Sequence, residues 1–444
     1  MYFCPMEYHH LQSPGGRLYL FLLPIVILFS ACSSSRYFER SAGRKMAKAF
    51  RSNEVLSRSF AGFYLYDPEN DRVLADVNGH LHFTPASNTK VMTYFVSRRA
   101  LGDSFPVVRY LDMDSVRYIK GCGYPLLPDK AFLEVLKAKK YVVDCTDSIR
   151  RFGSGWAWDD YPYYYQKEKD LLPLFDNALQ LRYNGQVFQW GPRLPWMEVR
   201  EDTTLPYRYF RAENANIFRY NPLHFYKADT VEIPFYASQS MRKRALLLLA
   251  QTIDRDCPDS WADAGILRYE MVDSVFIRLL HRSDNYIAEQ LLLMSAFERT
   301  EEGTTAEIIR WGLDSVLRQM PDKIRWVDGS GLSRYNLNTP ANLVWLWDRI
   351  LEMDGIDKVK QLFPAAGISG TLAPHYSTLR DEEGRPYVFA KSGSLSNNYC
   401  LSGVLLTSHG RTLLFSYMIN HFLEPSSMIK AQIEAQLREI YLKM

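Results

Sequence analysis

AGFYLYD-PEND-RVLADV, residues 61–77, is the stretch whose reading decides the architecture of this chain. Ala61–Asp67 and Arg72–Val77 are short runs rich in aromatic and β-branched residues. Pro68-Glu69-Asn70-Asp71 between them is a turn signal, so the stretch predicts a β-hairpin. Its counterpart lies at the other end of the sequence. Tyr387–Lys391, Tyr399–Thr407 and Thr412–Ile419 read as three further strands, with His409-Gly410-Arg411 as the turn between the last two. An amphipathic run from Pro425 to Met444 predicts a closing helix. Between the two ends, helical patterning marks the segment opened by Pro85-Ala86-Ser87 and running to about Leu101. It returns at Met241–Ile253, Tyr269–Leu280, Asn285–Glu298, Thr304–Gln319 and Thr339–Leu351. Two strands at the start and three at the end, with helices between them, predict one antiparallel sheet built from both ends and flanked by helices: an α+β fold.

From roughly Val108 to Ala237 the texture changes. Pro, Gly and aromatics are dense and no long helix suggests itself, which predicts an inserted, mostly β domain over 108–237. The main domain is then discontinuous, over 37–107 and 238–444. A length of 444 residues also favours two domains over one. Tyr and Trp residues cluster between Trp156 and Tyr226, but they interleave little with basic residues and are expected to serve packing. Fifty-three basic residues against 50 acidic ones leave a formal net charge of +3. That balance argues against nucleic acid as a partner, because such binders carry a strong basic stripe.

The N-terminus reads as an export signal. Leu18–Ala31, LYLFLLPIVILFSA, has the length of a signal-peptide apolar region and is too short to span a membrane; Arg17 supplies the positive flank. Ser30 and Ala31 lead into Cys32, which Ser33-Ser34-Ser35 follow; this looks like a bacterial lipobox, although Phe29 departs from the usual aliphatic residue. The expectation is a signal over 1–32, lipidation at Cys32, and a mature chain anchored to a membrane in the periplasmic cell envelope. A plain secreted protein is the alternative. Export permits disulfides among Cys122, Cys145, Cys257 and Cys400, whose three possible pairings the sequence cannot rank. Neither CxxC nor a His pair at ligand spacing occurs, so no metal and no cofactor are expected.

Three short motifs carry the chemistry: Ser87-Asn88-Thr89-Lys90, Ser283-Asp284-Asn285 and Lys391-Ser392-Gly393. Each is cheap alone, since S-x-x-K recurs at Ser240–Lys243 and Ser427–Lys430, and S-x-N at Ser396–Asn398. Only the first S-x-x-K has Pro-Ala before it and a strong helix after it. Residues i and i+3 share a helix face, so Lys90 can reach the Ser87 hydroxyl. A serine hydroxyl is a poor nucleophile until a nearby base takes its proton. Lysine serves as that base only where burial, a helix N-terminus or a second cation, here Lys391, favours its neutral form. Ser283 is placed to relay a proton to the leaving amine, and Asn285 to donate to the substrate amide. Lys391, Ser392 and Ser394 can hold a free carboxylate, and Gly393 lets substrate backbone approach. The backbone N–H groups of Ser87 and Ser394 then form the oxyanion hole. Each motif also has a plainer explanation, Ser87 and Ser283 as helix caps and Lys391 as a solvated strand end. Three motifs at element boundaries favour a shared site.

With these residues in view, the sequence resembles the class C low-molecular-mass penicillin-binding proteins, the D-alanyl-D-alanine carboxypeptidase/endopeptidase family. Pro85-Ala86-Ser87-Asn88-Thr89-Lys90 looks like that family's P-A-S-N-T-K. Ser283-Asp284-Asn285 with Ile287-Ala288-Glu289 is similar to S-D-N-x-I-A-E, and Asp328-Gly329-Ser330-Gly331-Leu332-Ser333 to its D-G-S-G-L-S loop. Ala390-Lys391-Ser392-Gly393-Ser394-Leu395 is similar to A-K-T-G-T-L, with Ser for Thr twice and the hydroxyl kept. Ile119-Lys120-Gly121 and Gly155-Trp156-Ala157-Trp158-Asp159-Asp160 echo it in the inserted region, whereas Gly123-Tyr124-Pro125-Leu126 departs from the usual G-D-P-T. The resemblance implies a penicillin-binding/β-lactamase-like transpeptidase domain, an acyl-enzyme on Ser87, peptidoglycan peptides as substrate and covalent inhibition by β-lactam antibiotics. It also implies an acidic residue in the insertion that reads the amine of the peptide's diamino acid, with Asp160 the match and Asp159 its rival. The Asp328–Ser333 loop is either part of the site or a structural turn. A D,D-carboxypeptidase is the leading expectation. A cross-link-cleaving D,D-endopeptidase, a β-lactamase and a catalytically silent peptidoglycan-binding lipoprotein are the alternatives.

Overall fold

The structure is a computed structural model and describes residues 43–300 and 303–444. The chain opens with a helix over 43–51 (α1), then β1 (Phe60–Asp67), β2 (Arg72–Val77) and α2 (Thr89–Leu101). The middle of the chain holds β3 (Ser104–Met113), β4 (Val116–Gly121), α3 (Lys130–Lys137), β5 (Tyr141–Asp144) and β6 (Ala178–Tyr183). It continues with β7 (Phe188–Gly191), β8 (Glu198–Glu201), β9 (Tyr209–Arg211), β10 (Ile217–Tyr220) and β11 (Asp229–Pro234). Then follow α4 (Gln239–Leu249), β12 (Gly265–Glu270), α5 (Asp273–His281), α6 (Asn285–Arg299), α7 (Thr305–Asp314) and α8 (Pro340–Leu362). The chain ends with β13 (Val388–Leu395), β14 (Asn398–Leu406), β15 (Thr412–Asn420) and α9 (Ser426–Lys443).

The two ends meet in one five-stranded antiparallel sheet of order β13-β14-β15-β1-β2. Residues alternate across it as a pleated strand requires. Phe63 and Leu65 of β1, Phe415 and Tyr417 of β15, and Val388 and Ala390 of β13 face α1 and α9, where Met46, Phe50, Ile433 and Leu437 cover them. Tyr64, Phe389, Val404 and Leu414 face the opposite way, toward α2, α6 and α8. Helix α2 is buried on nearly every side. Its polar and apolar residues are not sorted onto separate faces, as suits a central helix packed nearly all round, and it carries the candidate nucleophile at its entry.

The remaining strands form a four-stranded sheet, β12-β3-β4-β5, and two three-stranded sheets, β8-β10-β9 and β11-β6-β7. In residues 108–237 long loops join short strands, and α3 is the one α-helix among the described residues there. The sequence differs from the structure at Tyr269–Leu280, expected to be one helix. Residues 265–270 are instead β12, paired antiparallel with β3, and the helix α5 starts only at Asp273. Tyr269 explains the switch: its ring packs edge-on against Tyr124 and its hydroxyl donates to Asp129, contacts that the sequence pattern does not display. Helix α7 also stops at Asp314, earlier than expected, and begins with a Thr304–Glu307 capping box. Helix α8 runs on to Leu362 but breaks at Gly355, whose φ is +73°. Of the four cysteines, Cys145 and Cys257 form a disulfide, while Cys122 and Cys400 are buried free thiols, so none of the three two-bridge pairings is complete. The signal region and Cys32 lie outside the described residues.

Candidate active site

Ser87 sits in a tight 3-10 turn, Ala86–Asn88, that leads directly into α2. Ala86 has φ +47°, an uncommon conformation for a residue with a side chain. Two glycines hold this turn. A Cβ on Gly331 would lie 1.9 Å from the Ala86 carbonyl oxygen, and one on Gly393 would lie 2.9 Å from the Ser87 nitrogen. The Asp328–Ser333 loop and β13 therefore press the nucleophile turn from two sides at distances only glycine allows.

Lys90 lies one turn along α2, fully buried, with Nζ 2.8 Å from Ser87 Oγ. Its other two partners are the Asn285 Oδ1 at 2.6 Å and the Ser330 carbonyl at 2.7 Å. Burial pushes the Lys90 ammonium down to about 8, against the pull of Asp328, Asp284 and Glu289, which favour the charged form. Two of the three partners are carbonyl oxygens and accept only. In the neutral amine the two N–H bonds satisfy them and the lone pair is left for the Ser87 hydroxyl.

Ser283 and Asn285 flank the start of α6, and Ser283 has φ +54°. Asp284 caps the helix by accepting from the Ile287 nitrogen and pairs with Arg278 at 2.8 Å. Burial alone would raise the Asp284 carboxyl, but Lys167 and Arg278 outweigh it and hold the group below its ordinary value. Asn285 Nδ2 donates to the Tyr165 carbonyl at 2.9 Å, which fixes the amide so that its oxygen faces Lys90. Lys391 Nζ donates to Ser283 Oγ at 2.8 Å and to the Ser392 carbonyl at 2.5 Å. Burial first, and the nearby Lys90 second, hold Lys391 well below the ordinary lysine range. The chain 87–90–285 and the pair 283–391 thus come together in one place.

These groups line a cleft of about 660 Å³. Ser87, Ser283, Asn285, Ser392 and Ser394 all contribute to it, as do Asp159 and Asp160 of the inserted region. Asp160 accepts from the Tyr165 hydroxyl at 2.7 Å.

The sequence reading left Asp328 undecided. The structure makes it the keystone of its loop, accepting from the Gly331 nitrogen, the Ser333 nitrogen, Asn336 Nδ2 and Trp156 Nε1 at 2.7–2.8 Å. Glu289, buried one turn into α6, accepts from the Ser330 nitrogen at 2.9 Å and faces Lys169 at 3.8 Å; burial raises its pKa. Asp328 and Glu289 thus aim the Ser330 carbonyl at Lys90. Trp156 and Glu289 were visible as matched letters, though their hydrogen bonds were not. Thr371, whose hydroxyl is 2.7 Å from Ser392 Oγ, and His375, which pairs with Lys430 in the same cleft, carried no sequence signal beyond single residue types, while Lys430 was seen only as the end of a discounted S-x-x-K copy.

The model of the family described as D-Ala-D-Ala carboxypeptidase 3 (S13) matches residues 270–440. D-alanyl-D-alanine carboxypeptidase DacB of Haemophilus influenzae is 28% identical over 432 residues, covering 82% of this chain and 86% of that protein. The crystal structure of penicillin binding protein 4 (dacB) from Haemophilus influenzae superposes with a TM-score of 0.66 at 20% identity, covering 90% of this chain and 98% of the other. The same protein complexed with a β-lactam gives a TM-score of 0.61 at 20% identity over the same shares. The fold is the α+β penicillin-binding/β-lactamase-like transpeptidase fold with additional β structure.

Proposed function

We propose that Ser87 is the nucleophile of a chain that belongs to the class C low-molecular-mass penicillin-binding proteins, the D-alanyl-D-alanine carboxypeptidase/endopeptidase family. The chain is a serine-type D-Ala-D-Ala carboxypeptidase, a hydrolase acting on peptidoglycan stem peptides in the cell envelope. The observation that carries the assignment of Ser87 is the 2.8 Å contact of its Oγ with a buried lysine whose other partners are two carbonyl oxygens. In this reading the Lys90 amine takes the Ser87 proton as Oγ attacks the carbonyl of the penultimate D-Ala. The developing oxyanion is received by the backbone N–H groups of Ser87 and Ser394. A single such donor is typically worth about 10²–10³ in rate. The Ser283 hydroxyl, held by Lys391, passes its proton to the departing amine and is reprotonated from the Lys90 ammonium, which returns Lys90 to its free amine. Water then attacks the acyl-enzyme with Lys90 again as base. Asp160, at the rim with Tyr165, reads the amine of the diamino acid.

A second cavity, of about 910 Å³, shares Tyr164, Tyr165, Arg282, Ser283 and Asn285 with the first. That room supports D,D-endopeptidase action on cross-linked stems by the same site. The mass change of purified muropeptides separates the two: loss of one alanine, or dimers becoming monomers. A lipid anchor at Cys32 and periplasmic placement complete the reading. Fluorescent penicillin, a mimic of the acyl donor, tests the nucleophile. Wild type should give a covalent band on a denaturing gel and Ser87→Ala none; a band that survives the substitution places the nucleophile elsewhere.

A further inference from the structure

The reaction needs a positive charge for the carboxylate borne by the leaving residue, and Lys391 is poorly suited to supply it. Its Nζ is turned to Ser283 and to the Ser392 carbonyl, deep in the site. The pleat of β13 explains why. Phe389, Lys391 and Gly393 face the α2 side, while Val388 and Ala390 face α9. Alternation carries the hydroxyls of Ser392 and Ser394 to the α9 side. A separate cation stands there.

Lys430, in the first turns of α9, holds its ammonium 5.3 Å from the centre of the Tyr399 ring. Tyr399 is the cross-strand partner of Ser394. The Lys430 Nζ donates to His375 Nε2 at 2.9 Å, and His375 belongs to the loop whose Thr371 hydroxyl meets Ser392 Oγ at 2.7 Å. Lys430, His375, Thr371, Ser392 and Ser394 line the same cleft. Both partners of this half-buried ammonium are uncharged, an imidazole and an aromatic face. Glu434, one turn further along α9, is engaged with the Thr378 nitrogen and hydroxyl. The other cations of the cleft are placed differently: Arg334 donates to the Ser396 carbonyl just past β13, and Arg282 immediately precedes Ser283.

We propose that Lys430, seated between the Tyr399 ring and the His375 imidazole, is the specificity-determining cation that reads the carboxylate of the leaving residue beside the Ser392 and Ser394 hydroxyls. The proposal rests on Ser87 as the nucleophile of a D-Ala-D-Ala carboxypeptidase.

The test compares two stem peptides, one ending in D-Ala-D-Ala with a free carboxylate and one with that carboxylate converted to an amide. The readout is the ratio of their kcat/KM values in wild type, Lys430→Met and Lys430→Arg, with melting temperatures measured alongside. Losing one charge-assisted contact lowers the wild-type preference for the carboxylate by about tenfold or more. Methionine keeps the length of the stem, and arginine should retain most of the preference. A ratio that is the same in Lys430→Met as in wild type overturns the proposal, because a merely structural role slows both peptides together. Penicillin labelling of Ser87→Ala is read separately: if labelling survives there, the underlying nucleophile is wrong, whereas Ser87-dependent labelling with an unmoved ratio rejects Lys430 alone.

Discussion

Replacing Asp328 by asparagine changes little in shape but reverses the polarity of one side-chain atom at the centre of the site. Asp328 is 1% exposed. Its Oδ1 accepts from the Gly331 nitrogen and Asn336 Nδ2, and its Oδ2 from the Ser333 nitrogen and Trp156 Nε1, with the Ser330 hydroxyl at 3.4 Å. Whichever way the asparagine amide is turned, its NH2 faces two N–H donors. Each orphaned buried donor costs about 1–3 kcal/mol, so the substitution should destabilise the protein by about 2–6 kcal/mol. The same change acts on catalysis in a second, independent way. Asp328 is the first of the carboxylates that favour charged Lys90, so its removal lets the Lys90 ammonium fall below about 8. Urea unfolding of Asp328→Asn should therefore show a lower midpoint, while the pH profile of acylation by penicillin shifts to lower pH. A variant within about 1 kcal/mol of wild type would mean that these hydrogen bonds are easily replaced. An acylation profile displaced to higher pH would refute the electrostatic reasoning outright.

In the wild type, the second-order rate of acylation by a β-lactam should rise with pH and level off, because only the free amine of Lys90 can accept the proton. The rise should be centred near 8, the value to which burial lowers Lys90, and a stopped-flow profile flat across that range would remove Lys90 as the base. Gly393→Ala should slow acylation by about a hundredfold, since a methyl 2.9 Å from the Ser87 nitrogen displaces the nucleophile turn and misplacement by about 1 Å carries a penalty of that order. Near wild-type labelling in that variant would show that β13 can move aside without cost.

The central sheet was legible because its strands announce themselves twice over, by alternation at both ends of the chain and by the short turns at 68–71 and 409–411. The nucleophile and its base were legible for a local reason, since i and i+3 on a helix must meet. Ser283 with Lys391, 108 positions apart, was legible only as motifs in order; their 2.8 Å contact comes from the sheet and α6 meeting. What stayed hidden depends on tertiary partners. Tyr269 belongs to a strand because Tyr124 and Asp129 are there to receive it. Asn285 donates one N–H of its Nδ2 to the Tyr165 carbonyl, a main-chain group no side-chain pattern reveals, and keeps a second N–H for another acceptor. Lys430 sits in a Ser-x-x-Lys run of its own, and its place in the cleft follows from how α9 lies over β14 rather than from that spacing.

The pairing of β1 with β15 has a consequence for how the protein comes into being. Phe60 lies opposite Asn420, so the sheet is completed only after the long stretch of chain between them has been synthesised. Domains usually fold from the N-terminus as they emerge, but contacts this distant in sequence form late and slowly. The hairpin made first must wait with an open edge until the last strands arrive. Lys391 is delivered by those same strands, so a growing chain carries Ser87 and Lys90 before the Lys391–Ser283 pair can form beside them. The cleft around Ser87 is therefore complete only once β13–β15 have joined β1.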